Sequence, residues 1–409
     1  MKKNFLKAAF CLTLMATASN FIVSCSNNDD DETTVTNPEA YANPNDWKGE
    51  IPAGVNLTLD ASKTYKLTGK LSVLEGATLT IPAGTKIVVS EGANYLMAER
   101  GSKLFINGTA SAPVVFEGAN PIPGSWGGIV VLGKAPSNRS ASGTSTSELG
   151  DKIYGGTDKT DNSGSISYVV IKHSGYKYNP EKEFNGLSLF GVGSGTKVSY
   201  VYVTDGADDA VEFFGGNVNA DHLVLLGVGD DSFDWTEGWQ GTAEFVYASR
   251  KKEYLNATEP GNRGIEADTQ DTDPNTTFGN GASNPTIKNF TLIGNTKGSE
   301  SQALKLRAGT NGKFDNVVLA NFSTGIDFQT MRTHNWFKSG SYMTNISFVN
   351  IGTNWKWSTS TSDTVTNPDL SGVFTTNTSA TGAGSGTSLP DWAKTWTGLT
   401  SFTPADAGN

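Results

Sequence analysis

The chain has 409 residues, of which 36% are hydrophobic and 18% charged, enough apolar sequence for a sizeable core and too little charge for a disordered chain. Its net charge of -10, from 31 Lys and Arg against 41 Asp and Glu, excludes the basic face that nucleic-acid binding needs. The 47 glycines, with abundant Ser, Thr and Asn, speak against helical bundles and for short strands joined by turns.

In chain order, residues 1–24 read as a signal peptide. Lys2, Lys3 and Lys7 precede an apolar run from Ala8 to Ala18 that is too short to span a bilayer. Ile22-Val23-Ser24-Cys25 resembles a bacterial lipobox, which makes Cys25 the expected lipidation site. Cys11 lies inside the removed segment, so the folded part carries no thiol for disulfide, zinc or nucleophile chemistry. Residues 25–46 read as a flexible acidic tether. Its Asn28-Asp29-Asp30-Asp31-Glu32 run looks like the surface-export signal of Bacteroidetes lipoproteins. The expected location is the outer membrane, lipid-anchored and facing the cell exterior.

From residue 47 to 350 short apolar runs recur. One series includes Tyr200-Val201-Tyr202-Val203, His222-Leu223-Val224-Leu225 and Glu244-Phe245-Val246-Tyr247, spaced 22 residues apart from Tyr200 to His222 and again to Glu244. A second, offset series runs Val211-Glu212-Phe213, Phe233-Asp234-Trp235, Ile265-Glu266-Ala267, Leu304-Lys305-Leu306 and Ile326-Asp327-Phe328. Each triplet alternates apolar and polar, the period of a strand. Two strand series sharing one period predict an all-β parallel β-helix of about 22 residues per turn, a solenoid whose turns bury one another. The N-terminal part repeats faster, as in Leu71-Ser72-Val73, Thr78-Leu79-Thr80-Ile81 and Lys86-Ile87-Val88-Val89. Interruptions at about 133–163, 172–185, 249–285 and 329–341 predict loops along the shaft. Residues 351–409 are rich in Ser, Thr and Gly. There Trp392 and Trp396, four apart, predict a short helix that caps the coil's end.

At a 22-residue period Asp208 stacks on Asp230, Asp209 on Asp231, and Glu212 on Asp234, with Glu266, Lys305 and Asp327 on the turns after. Like charges at strand spacing repel, by about 1 kcal/mol in water and several-fold more near a protein. Three solutions stand open: solvation, a calcium ion, which accepts many carboxylate oxygens, or shared protons and raised pKa values. The candidate metal- and ligand-binding residues are Asp208, Asp209, Glu212, Asp230, Asp231, Asp234 and Glu266, and calcium is the only cofactor expected. Asp268-Thr269-Gln270-Asp271 opens what reads as an acidic loop. Trp235, Trp239, Tyr254 and Trp336 are candidates for stacking on a ligand. The three histidines share no metal-ligand spacing, and His222 reads as packed rather than catalytic. Asn289, Asn316 and Asn345 form one column, as in an asparagine ladder.

Gly124-Ser125-Trp126-Gly127-Gly128-Ile129-Val130-Val131-Leu132-Gly133, Gly191-Val192-Gly193 and Asp231-Ser232-Phe233-Asp234 resemble a family of secreted right-handed β-helix proteins of Bacteroidetes and marine bacteria. That resemblance implies fold and export, with no activity attached. A looser one is to polygalacturonase-type hydrolases, through Val203-Thr204-Asp205 and Gly229-Asp230-Asp231. Their next motif, Gly-His-Gly, is absent: Asn262-Arg263-Gly264 stands there. Pectate lyases, which pair calcium with an arginine base on an acidic β-helix face, are similar. That resemblance implies Asp231, Asp234, Arg263 and Arg307 as candidate catalytic residues. Two functions follow as expectations. One is a non-catalytic surface lipoprotein that binds a glycan or peptide as accessory to a SusC/SusD-like importer. The other is a calcium-assisted polysaccharide lyase, or a hydrolase, acting on an acidic glycan.

Overall fold

The structure is a computed structural model and describes residues 40–179, 182–254, 263–271, 277–296, 301–359 and 368–409. The signal peptide, Cys25 and most of the tether lie outside the described residues.

Successive coils have three faces. The first is laid down by Asn56–Thr58, Thr78–Pro82 and Lys103–Asn107, paired in parallel. The second takes Lys86–Val89 and Val114–Gly118, and the third Leu96–Ala98 and Ile129–Leu132. Inward positions are apolar and buried and outward ones partly exposed, as in Thr78–Pro82, because successive side chains of a strand point to opposite faces. The faster N-terminal rhythm is therefore not a smaller coil. It is the three faces read one after another, since Asn56 pairs with Thr78 and Thr64 with Lys86, both 22 residues on.

From Gly164–Lys172 onward the first two faces fuse into one long bent strand per coil. Its front half continues Lys103–Asn107 and its rear half Val114–Gly118. The bend falls on one residue with positive φ: Tyr168, Tyr200, His222, Phe245, Asn289, Asn316 and Asn345. Asn tolerates this conformation, but ring-bearing residues lose about 1–2 kcal/mol in it. Stacking offsets the loss at about 0.5–1.5 kcal/mol per pair. Tyr168 lies 4.2 Å from Tyr200, Tyr200 4.4 Å from His222, and His222 4.9 Å from Phe245, all near-parallel. Lower in the column Asn316 Nδ2 donates to Asn289 Oδ1 at 2.7 Å. His222 is thus a stacked corner residue, with Nδ1 2.5 Å from Asp221 Oδ1. Its neighbour is Phe245 rather than Glu244, since Asp221 pairs with Glu244. The turn from Thr236 to Thr242 is one residue longer than that from Phe214 to Asn219, so this step is 23 residues.

The third face continues through Leu187–Phe190, Val211–Phe214, Phe233–Thr236, Ile265–Ala267, Gln302–Leu306, Thr324–Gln329 and Thr353–Ser358. The coil therefore runs to Ser358, past the expected limit at residue 350. The predicted helix forms at Asp391–Thr397 and ends on Gly398 at φ 75°, a left-handed C-cap that glycine adopts without strain. It lies along the side of the coil, not over its end. Trp396 is buried edge-on against Tyr168, Tyr200 and Tyr202, because the outward faces of Tyr202, Val224 and Tyr247 are apolar and need cover. Leu370 and Val373, further back in the chain, join the main core beside Phe337 and Met343.

Candidate functional site

One outward column of the third face carries the charged residues. It reads Met97, Val130, Ser188, Glu212, Asp234, Glu266, Lys305, Asp327 and Lys356, in register throughout. Its top is apolar, and Met97 and Val130 are buried with Leu149, Tyr154 and Phe184 from the loops. Its bottom is neutralised: Lys305 Nζ lies 2.9 Å and Lys356 Nζ 3.3 Å from the fully buried Asp327 Oδ2, and Ser358 donates to Oδ1. Only the middle coils leave carboxylates facing one another.

The turns entering those coils add Asp208, Asp209, Asp230 and Asp231. Asp209 Oδ1 accepts the backbone N–H of Asp231 at 2.8 Å, and Asp231 Oδ1 that of Arg263 at 2.9 Å, so each turn holds the next. Three overlapping groups have one oxygen per residue within 4.8 Å of the others: Asp208, Asp209 and Asp230; Asp209, Glu212 and Asp234; Asp231, Asp234 and Glu266. The stacking read from the period is therefore the stacking observed.

Burial, followed by the neighbouring carboxylates, holds Asp208, Asp209, Glu212, Asp231 and Asp234 well above the usual carboxylate range. The same causes push Asp230 and Asp268 up to about 7. Opposing them, Arg263 Nη1 lies 3.0 Å from Glu266 and 3.4 Å from Asp231. Arg307 Nη2 lies 2.9 Å from Glu266 and 3.4 Å from Asp268. Asn185 Nδ2 donates to Glu212 at 2.6 Å.

Two adjoining cavities form one groove over this surface. One, of about 490 Å³, is lined by the Asp-Asp turns together with Asn185 and Glu183. The other, of about 400 Å³, is lined by Phe190, Phe214, Thr236, Asp268, Arg139 and Tyr154. Glu148, Lys182, Glu212, Asp234 and Arg307 belong to both. Two antiparallel hairpins frame the groove, Thr144–Thr146 with Ile153–Gly155 and Lys177–Asn179 with Lys182–Glu183. The first is pinned by Glu237, a buried carboxylate at positive φ that accepts hydrogen bonds from Ser137, Arg139 and Tyr154. Glu237→Ala leaves these donors without their acceptor, at a cost of about 1–3 kcal/mol. Limited proteolysis is expected to open new cuts between residues 137 and 155 in this variant. Unchanged protection would show that the hairpin is held elsewhere.

All seven candidate acidic residues line this groove, as does Arg307, while Arg263 lines neither cavity but pairs with Asp231 and Glu266. The aromatic candidates do not line it. Trp235 is a fully buried core residue, because the strand alternation that turns Asp234 outward turns its neighbours inward, and Trp239, in the turn after that strand, is fully buried too, stacked on Phe213 at 4.1 Å and donating to Val218 O. Trp336 stacks on Tyr342 at 4.5 Å and donates to Gly312 O, away from the groove lining. The side chain of Tyr254 lies outside the described residues. Asp268, read as a loop acid, is instead 4% exposed and part of the groove wall. Glu237, Arg139, Glu148 and Lys182 were not foreseen: three come from insertions with no periodicity, and Glu237 from a turn that follows a strand.

A family model described as a pectate-lyase-like β-helix domain matches residues 49–397, nearly the whole described coil and the lateral helix. No curated protein and no solved structure matches the chain. By fold and by this match over most of its length, the chain belongs to the pectate-lyase-like β-helix domain family.

Proposed function

We propose that this protein is a glycan-binding lipoprotein of the outer-membrane surface. Cys25 is its lipid anchor, the acidic tether its export signal, and a SusC/SusD-like importer its neighbour. The observation that carries the reading is the groove: an acidic trough, walled by loops, on one face of a β-helix from a family named for carbohydrate-active relatives. Calcium suits its donors, which are hard carboxylate oxygens in three overlapping groups. Asp209, Glu212, Asp231, Asp234 and Glu266 would hold the ion. It would add to the counter-charge that Arg263 and Arg307 supply to Asp231 and Glu266, and offer a Lewis-acidic contact for a glycan oxygen.

A second reading is catalysis, favoured by the adjacent, proton-retaining Glu212 and Asp234, since a carboxyl group with a raised pKa serves as a general acid. Lyase chemistry with an arginine base fits less well. Arg307 is pushed to hold its proton more tightly by Glu266 and Asp268, outweighing burial. The deciding experiment is a glycan array probed with the purified chain, with calcium and with chelator, followed by product analysis on every hit. Retention without cleavage supports the binding protein. Released oligosaccharide that disappears in Asp234→Asn supports the enzyme. No retained glycan under either condition would overturn both.

A further inference from the structure

Beyond the groove the same column holds a different arrangement. Lys305, Asp327 and Lys356 follow one another in register on three successive coils. Asp327 is fully buried and Lys305 is 8% exposed. Lys305 Nζ and Lys356 Nζ lie 2.9 and 3.3 Å from the same oxygen, Asp327 Oδ2, while Ser358 Oγ donates to Oδ1 at 2.7 Å. Glu266, in register with Lys305 on the preceding coil, is taken by Arg263 and Arg307 at 3.0 and 2.9 Å. Asp327 is therefore the carboxylate left to Lys305. Burial makes such an ion pair costly, because each charge has given up its water. A reaction that removes both charges is favoured by the same burial.

We propose that Lys305 and Asp327 condense into an intramolecular isopeptide bond that joins neighbouring coils. Lys305 passes one ammonium proton to Oδ2, which leaves a neutral amine, the nucleophilic form of lysine. Nζ then attacks Cγ, and the negative charge that develops on Oδ1 is met by the hydrogen bond from Ser358. A second proton moves from the nitrogen to Oδ2, the Cγ–Oδ2 bond breaks, and this oxygen leaves as water. Lys356 stays charged and faces the departing oxygen. One N–H remains on the new amide. An ammonium and a carboxylate have then become an amide and one water, with no oxidant, metal or further reactant. The fold supplies the positioning: strand register sets Lys305 beside Asp327, and groups held in contact react as one molecule.

The place of the bond agrees with the build of the coil. The two cysteines, Cys11 and Cys25, precede the coil, so no disulfide can tie one coil to the next. Among the described residues Thr353–Ser358 is the last strand of the third face, paired on one side only, with Thr324–Gln329. Coils near such an edge open first. The bond joins residues 22 apart, one full turn, and locks Thr324–Gln329 to Gln302–Leu306 just before that edge.

The test is peptide mapping of the full chain, denatured, digested with trypsin and weighed by mass spectrometry. Residues 298–307 and 314–332 are expected as one linked species, uncut after Lys305 and lighter than the two peptides together by one water. Fragmentation should place the bond between Lys305 and Asp327. Lys305→Arg, which keeps the charge but not the nucleophile, should release 298–305 and 314–332 as separate peptides. Asp327→Ala should lose the link too, and Lys305→Arg carries the test should Asp327→Ala fail to fold. Free peptides 298–305 and 314–332 from the unaltered chain overturn the inference. So does a bond from Lys356 to Asp327, which would move the nucleophile to the next coil.

Discussion

Trp235→Ala is expected to destabilise the protein by about 3–5 kcal/mol, the usual cost of emptying a large buried aromatic site. Trp235 is fully buried between Phe213 and Ala267 on neighbouring coils, and its Nε1 donates to Thr310 Oγ1 at 3.0 Å. Its ring also packs against Phe233 and Trp239. Deletion leaves a cavity at the level of the groove and removes the indole donor from Thr310 Oγ1, which keeps its own bond to Asn311 O. A rigid coil cannot collapse around such a gap. Urea denaturation should show a lower midpoint. A tryptophan that stacked on ligand would behave otherwise, weakening affinity with the midpoint unmoved.

The second large effect is on pH dependence. Without metal, stability should fall as pH rises from about 4 to 7. Asp268 keeps its proton up to about 7 in the folded chain but loses it near the ordinary value of 3.8 when unfolded. Between these values the folded state binds more protons, so the free energy of unfolding decreases with pH. Stability from this group is complete below the unfolded pKa and lost through the folded one. For a group this buried, the loss is on the order of 4 kcal/mol. Asp230 acts in the same direction but is partly exposed and contributes less. Asp234→Asn removes a charge from the column, so in metal-free protein at pH 8 it should raise Tm while weakening the response to calcium. A flat Tm from pH 5 to 8 in chelator would show that the carboxylates are solvated or paired.

The coil, its period and the third-face column were legible because strand alternation and coil spacing are written locally. Glu212, Asp234 and Glu266 sit in triplets whose flanking residues must point inward, which fixes both register and exposure. The same alternation placed Trp235 in the core. Reading it as a ligand platform weighed residue type above strand phase. The slip between His222 and Phe245 came from one extra residue in the turn around Glu237 and Gly238, both at positive φ, which pattern alone does not reveal. The walls of the groove were not legible. Arg139, Glu148 and Lys182 come from loops whose position is set by long-range contacts such as Asn138 to Thr269 and Gly281. The lateral course of the C-terminal helix follows from an apolar outward patch at Tyr202, Val224 and Tyr247, visible only once the coil is folded.

The stacked carboxylates are proposed to form a cation-seeking groove. The most direct measurement is Tm at pH 8 as calcium is titrated into metal-free protein, repeated at pH 5. A concentration-dependent rise is expected at pH 8, following mass action, and a smaller rise at pH 5, where protons compete for the same oxygens. No shift at pH 8 with millimolar calcium would contradict it.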